Sequence, residues 1–350
     1  MMSYEPVSRP EFSGIENEQG IIYHQRGNFA LVGPNLNIPV NRCYRPLDTM
    51  RTAQDGQRSH AYVYDKLIHD TIPTSSSLEA QEKIVRILGK DLLYLSIAGE
   101  DEIKNEYSSY AGLNPFLSPE AQIVIETLKS KVEKRVSNIQ LGVHGSHEVG
   151  LNRADSDVDL VAWIARKERT EGLAAIDDAL RSRGYVRVND TAKFNEYAMR
   201  IANLTGLPYQ AGLFLAGQRN RWLSPSGTPT SLQLIHNDYA HTSAKTLVDT
   251  AISGECELVS RVAGLSVEII DHCEPFNYPR FWTIFDGSEE AEVLSFNMVH
   301  QGMGTDGRHA DNHSGEYTLA AHRWTTPSGR SLYFMKDDKD FLLPANLGVS

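Results

Sequence analysis

Residues 141–163 read LGVHGSHEVGLNRADSDVDLVAW, and the fold turns on how they are read. An apolar run from Ile139 to Val143 ends in Gly145-Ser146. Ten residues follow, and Asp157-Val158-Asp159 then opens a second apolar run that reaches Trp163. Alternate residues of a strand share a face, so Asp157 and Asp159 point the same way while Val158 and Leu160 point into a core. Two carboxylates this close raise each other's pKa unless a cation lies between them. The natural cation is Mg2+ (or Mn2+), a hard ion that takes oxygen ligands and keeps substrate phosphate in its shell. Glycine at a strand end permits a tight turn. If a helical turn begins at Ser146, its N–H groups converge on a spot suited to phosphate. A phosphate cradle and a metal-binding carboxylate pair on adjacent strands equip a chain to move a nucleotidyl group from a nucleoside triphosphate, with pyrophosphate leaving. Gly-Ser alone is common in turns and Asp-x-Asp alone is common at solvated strand ends. Their order, spacing and apolar flanks together carry the reading.

The same stretch is preceded by the clearest helix in the chain. Ser118 is a good N-cap and Pro119 suits the first helical position. Ala121, Val124, Ile125, Leu128, Val132 and Val136 form one apolar stripe. Lys129, Lys131, Lys134 and Arg135 fall in the last turns, where the helix dipole favours cations. Downstream, a helix is expected at about 170–183, with strands at 185–188 and 231–235. Short apolar runs at 20–24, 29–32 and 58–65 predict a small β-rich module at the N-terminus. Ile84, Ile87, Leu88, Leu92 and Leu95 follow a helical period. Short strands recur at 258–262, 281–285, 293–296, 317–320 and 331–334. The predicted layout is an N-terminal β-rich module (1–75), a helical link (76–114), an α+β core of a short mixed sheet with helices (115–245) and a C-terminal β-rich module (246–350).

Composition limits the partners. Lys and Arg number 34 against 45 Asp and Glu, a net charge of −11, which disfavours broad electrostatic binding of nucleic acid. Three cysteines, Cys43, Cys256 and Cys273, lack any CxxC spacing, which argues against a disulfide framework or a cysteine zinc site. No apolar run approaches the roughly 18 residues needed to cross a bilayer, and residues 1–14 lack the apolar centre of a signal peptide. The expectation is a cytoplasmic protein with no membrane partner.

The Val143-His144-Gly145-Ser146 and Asp157-Val158-Asp159-Leu160 pair, with Gly150 and Ser156 between them, resembles the signature of the nucleotidyltransferase superfamily that includes DNA polymerase beta. With the helix and flanking strands the resemblance spans roughly 115–240. Gly20 to Gly27, Arg45-Pro46 and Tyr64-Asp65-Lys66 look like the N-terminal β module of archaeal-type nucleotidyltransferase proteins. Phe276 to Pro279, Val293 to Phe296 and Gly315-Glu316 look like their C-terminal module. The resemblance implies a nucleotidyltransferase-fold core and a phosphorus-group transferase that uses an NTP as co-substrate. It implies that Asp157 and Asp159 bind metal and carry catalysis, and that Gly145 and Ser146 hold the β and γ phosphates. The family usually adds a third carboxylate on a later strand. Here the polar position of that strand is Gln233, with Asp238 a few residues on. A glutamine there would suit an alternative reading, a non-catalytic nucleotide-binding sensor or scaffold.

Other residues carry a functional reading beside a bland one. Arg219-Asn-Arg221 with Trp222 suggests a phosphate contact or a base stack, against a plain basic turn as the blander account. Lys193 and Arg200 are candidates to neutralise pyrophosphate, against ordinary surface charge. His300, His309 and His313 with Asp306 and Asp311 suggest a metal site, against a long polar loop, which the spacing favours. His144 is expected to shape the cleft. Ser146 and His147 adjoin, but no acid partner or nucleophile elbow supports a hydrolase.

Overall fold

The computed structural model describes residues 3–6, 13–25, 29–32, 36–52, 58–66, 93–97, 103–109, 117–153, 156–237, 256–274, 280–301, 303 and 316–347. It is a mixed α+β chain of three sheets. The first sheet comprises β1 (Ser3–Pro6), β2 (Gly14–Asn17), β3 (Ile22–Gln25), β4 (Phe29–Val32), β5 (Leu36–Thr52), β6 (Arg58–Lys66), β7 (Leu93–Ile97) and β8 (Ile103–Tyr107). The 17-residue β5 organises it, pairing with β3, β4, β6 and β7. Residues 93–97 and 103–107 correct the expectation of a helical link, because both are strands of this sheet. Leu93-x-Leu95-x-Ile97 fits a two-residue period as well as a helical one, and pairing with Leu36–Val40 of β5 decides for the strand. The rest of the expected helix lies outside the described residues.

The core begins with α1 (Pro119–Val132). The Ser118 Oγ accepts the Ala121 N–H at 3.2 Å, and Ala121, Val124, Ile125, Leu128 and Val132 are buried. Burying each of the larger of these contributes about 1.5–3 kcal/mol, which is what holds a 14-residue helix in place. There follow β9 (Gln140–His144), β10 (Val158–Ile164), α2 (Arg169–Arg181), β11 (Val186–Arg187), α3 (Lys193–Thr205), α4 (Tyr209–Gly217), β12 (Asn220–Leu223) and β13 (Pro229–His236). The sheet order is β11-β12-β13-β10-β9, with β10 parallel to β13 and antiparallel to β9. Val158, Leu160, Ala162 and Ile164 pack on α1 and α2, so the opposite face of β10 is left for the site. The segment Arg219-Asn-Arg-Trp222 is chiefly strand, which corrects the turn favoured from sequence.

The third sheet is a small barrel. Around it run β14 (Glu257–Glu274), β15 (Arg280–Phe285), β16 (Glu290–Ser295), β18 (Ser331–Phe334) and β17 (Glu316–Thr325), and β17 pairs back onto β14. A further strand, β19 (Phe341–Pro344), adds to β17. The 18-residue β14 serves two neighbours by means of register shifts, one of them between Val262 and Leu265. Gly264 sits there with φ of 76°, a conformation that glycine adopts without steric cost. Helices α3 and α4 lean on the barrel through Ala198, Ile201, Ala211 and Leu215, packed with Trp282, Val293 and Leu342. Among the described residues no helix is long and apolar enough to cross a membrane.

The β15–β16 hairpin supplies an acid-sensitive term. Burial alone would raise the Asp286 carboxyl, but hydrogen bonds from Ser288, Glu289 and Tyr333 take it down to about 2. A carboxyl held below its unfolded value of 3.8 contributes stability that is present above that value and lost as pH falls through about 2. The group is largely solvated, so solvent screening keeps the effect to roughly 1 kcal/mol. Urea midpoints measured between pH 5 and pH 2 are expected to fall more steeply for wild type than for Asp286→Asn. Parallel slopes would remove this hairpin from the acid response.

Candidate functional site

Strand register brings four polar residues into one row. On β10, Asp159 lies opposite His144 of β9 and Ser231 of β13, and Ser231 lies opposite Arg221 of β12. The row Arg221–Ser231–Asp159–His144 crosses the open face of the core sheet. The Ser231 hydroxyl donates to Asp159 Oδ1 at 2.5 Å. Arg221 reaches Asp157 Oδ2 at 3.2 Å, and its guanidinium lies 4.7 Å from the centroid of the Tyr197 ring. These contacts leave Asp157 Oδ1 and Asp159 Oδ2 without a hydrogen bond among the described residues. Burial and the neighbouring Asp159 push the Asp157 carboxyl up, with Arg221, Arg200 and His147 opposing.

The turn after β9 completes the arrangement. Gly145 has φ of 77°, and a Cβ there would stand 3.4 Å from Asp159 Oδ2. Glycine is favoured there by the left-handed backbone, and an added Cβ would only come into ordinary contact with Asp159. Gly145–His147 form a single 3-10 turn. His147 is buried and ties the turn to its surroundings: Nδ1 meets the Ser118 Oγ at 2.6 Å, and Nε2 lies 3.4 Å from the Ser156 carbonyl. The Ser118 oxygen already accepts from Ala121, so its hydroxyl proton is free to go to Nδ1, which puts the ring proton on Nε2. Burial pushes this imidazole down. His147 is therefore a fastening of the turn.

Next to it, Glu148 is fully buried. Its Oε1 accepts the Gly14 N–H at 3.0 Å, its Oε2 lies 3.7 Å from His24 Nδ1, and it also accepts the Gly145 N–H. Burial drives its carboxyl well above the usual range. Tyr44 of β5 hydrogen-bonds Ser146, and Ile22, Tyr44 and Tyr107 pack against Val149. The N-terminal sheet thus forms one wall of the signature turn. This was missed from sequence, because nothing local in Glu148 or Tyr44 marks their meeting.

Between the open sheet face, α3 and the barrel lies a cleft of about 300 Å³. It is lined by Asp159, three arginines (Arg200, Arg219 and Arg221), and the amides Gln233 and Gln301. Gln233 and Gln301 are buried and bond each other at 2.6 Å, which joins the barrel to the core. Gln233 stands opposite Val161, one row beyond Asp159. The residue level with Asp159 is Ser231, and Gln233, where the third carboxylate was expected, stands one row away. Asp238 lies outside the described residues. Trp222 is wholly buried on the far face with its Nε1–H on Asp177 Oδ1 at 2.8 Å, so it cannot stack on a base. Lys193 opens α3 on the surface, away from the cleft lining.

Of the proposed histidine site, His300 is buried, with Nδ1 2.7 Å from Ser295 Oγ and Nε2 3.0 Å from the Asp337 carbonyl, so it serves the barrel. His309, His313, Asp306 and Asp311 lie outside the described residues. His322, Asp337 and Asp340 place ligand atoms within 4.8 Å of one another. However, Asp340 Oδ2 already accepts the Lys336 and Asp337 N–H groups and Oδ1 accepts Arg261, so this group is occupied in clamping its loop.

No family model, no curated protein and no solved structure matches the chain.

Proposed function

We propose that the chain is a metal-dependent nucleotidyltransferase that moves an NMP group from an NTP to an acceptor, with release of pyrophosphate. The observation that carries this reading is the meeting of the left-handed Gly145 turn with Asp159, whose charge acts on the nearby Asp157 carboxyl. The donor set suits a divalent cation such as Mg2+: two carboxylates, each with one oxygen that has no hydrogen bond among the described residues, and an Asp157 carboxyl raised by burial and by the charge of Asp159. When bound there, the ion would stabilise charge on the attacking and leaving oxygens. The chain's own groups do the rest. Ser231 fixes the Asp159 carboxylate and Arg221 fixes Asp157. Gly145 leaves room for a phosphate to approach Asp159, and Ser146 offers a hydroxyl and an N–H at the mouth of the turn. Arg200 and Arg219 add positive charge to the cleft wall.

A second reading, a nucleotide-binding scaffold without turnover, is favoured by one observation, the serine in the row position of the third carboxylate. Calorimetric titration of non-hydrolysable NTP analogues with Mg2+ tests the binding that both readings share. Metal-dependent heat is expected for at least one base, and its absence with every analogue would end both. Pyrophosphate release from the matching NTP would then favour transfer over the scaffold.

A further inference from the structure

Resting on the transferase reading, we infer that the cleft beyond Asp159 receives the nucleobase of the donor, and that Gln301 of the barrel selects a base bearing an exocyclic amine. Position along the core sheet supports the first half. His144 is the residue opposite Asp159, so the Gly145 turn, assigned to the β and γ phosphates, lies past one side of that row. Gln233 lies past the other side, opposite Val161, two residues or about 7 Å further along β10. Phosphate turn, carboxylates and amide pair therefore follow one another in the order of triphosphate, α-phosphorus and nucleoside. The walls suit a flat ring. Ile201, Leu204 and Val299 supply apolar surface, and Asn220 and Gln301 supply amides. Small-molecule sites combine such walls with a few polar groups that fix orientation.

Gln301 is the polar group whose sense is fixed. It is buried, it comes from the barrel rather than the core, and its Nε2 donates to Gln233 Oε1 at 2.6 Å. That bond uses an N–H and sets the amide plane. What remains toward the cleft is Oε1, an acceptor with no hydrogen bond among the described residues. Once a ring covers it, an amide oxygen left without a donor is costly. A ligand that brings an N–H to this point is therefore favoured, and one that brings a carbonyl sets two acceptors against each other. Adenine, guanine and cytosine carry an exocyclic amine. Uracil and hypoxanthine carry carbonyls and no amine. A site built to hydrogen-bond a substrate N–H rejects the analogue that lacks it. The selection uses no charged group, which leaves Asp159 and the arginines to the metal and the phosphates.

Non-hydrolysable analogues of ATP, GTP, CTP, UTP and ITP are titrated calorimetrically into the full chain with Mg2+, and Mg2+ tripolyphosphate serves as the probe without a base. At least one amine-bearing analogue is expected to bind about tenfold or more tightly than its counterpart lacking the amine, ITP for ATP and GTP, UTP for CTP. Gln301→Met is expected to shrink that ratio to within about threefold and to leave tripolyphosphate binding within about twofold. Near-ultraviolet circular dichroism confirms that the variant is folded. Equal binding of both members of every pair by wild type would overturn the inference without recourse to any variant, and so would preference for the member lacking the amine. A ratio that survives in folded Gln301→Met would overturn the role of Gln301. An equal loss of tripolyphosphate and analogue binding in the variant would overturn it too, since Gln301 would then only tie the barrel to the core. Wild type that binds neither tripolyphosphate nor any analogue marks failure of the transferase reading itself, whereas tripolyphosphate binding without discrimination between bases overturns this inference alone.

Discussion

Asp159→Asn is expected to lower pyrophosphate release about a thousandfold, on the order of 4 kcal/mol, while leaving the fold intact. The two halves of this expectation come from different atoms. Asparagine keeps an acceptor at the Oδ1 position, so the Ser231 hydroxyl retains its partner across the β10–β13 pair. What goes is the formal charge and the second oxygen, the one facing Gly145. That oxygen has no hydrogen bond among the described residues, so under the proposed function the loss would fall on the metal. Removing one of two like charges also relieves the repulsion that raises Asp157. The thermal midpoint is therefore expected to hold or rise slightly, the reverse of what a structural role for the carboxylate would give. A variant that releases pyrophosphate at the wild-type rate, or one that melts well below it, would sink the assignment of Asp159.

Trp222→Ala is expected to destabilise the core by about 3–5 kcal/mol, read as a large drop in the urea midpoint. Trp222 is wholly buried in the cluster formed by the core sheet, α1 and α2. Its indole N–H donates to Asp177, and the Arg187 guanidinium lies 4.8 Å from the ring centroid. Asp177 in turn binds Arg181 and Arg187, so one indole seats a knot that closes α2 against the edge of the sheet. Trp222→Phe keeps most of the buried area and loses the hydrogen bond, for a cost of about 1–2 kcal/mol. Because Arg221 precedes it on the same strand, a shift of β12 also releases Asp157. Weaker binding of the NTP analogue should therefore accompany the stability loss. An unchanged urea midpoint for the alanine variant would mean that Trp222 is not in the core.

The helix cap at Ser118, the turn at Gly145 and the strand carrying Asp157 and Asp159 were legible because each is written in consecutive residues. A hydroxyl before proline, a glycine at a strand end and two alternating acids all declare themselves locally. What was not legible depends on partners far along the chain. Asn220 to Leu223 shows no apolar alternation, and pairing with β13 and β11 makes it a strand. Helix α3 buries mainly Ala198, Ile201, Ala202 and Thr205, a stripe too small and too polar to stand out, and α4 is apolar nearly all round. The third position of the site was sought at Gln233, but cross-strand register, which a single sequence does not disclose, puts Ser231 level with Asp159. The β7 strand shows the converse, a run that suits two periods until a neighbour chooses between them.

Glu148 bears on how freely the parts of this protein can be exchanged. Its carboxyl accepts one N–H from the N-terminal sheet and one from the turn that faces Asp159. A foreign module joined in place of residues 1–114 would have to present a donor where Gly14 does, and a hydroxyl where Tyr44 meets Ser146. Without them a buried acid would be left with an unmet acceptor, at a cost of about 1–3 kcal/mol. The seam between the first two modules is therefore matched atom by atom at Gly14, Glu148, Ser146 and Tyr44, so the two behave as one unit rather than as interchangeable pieces.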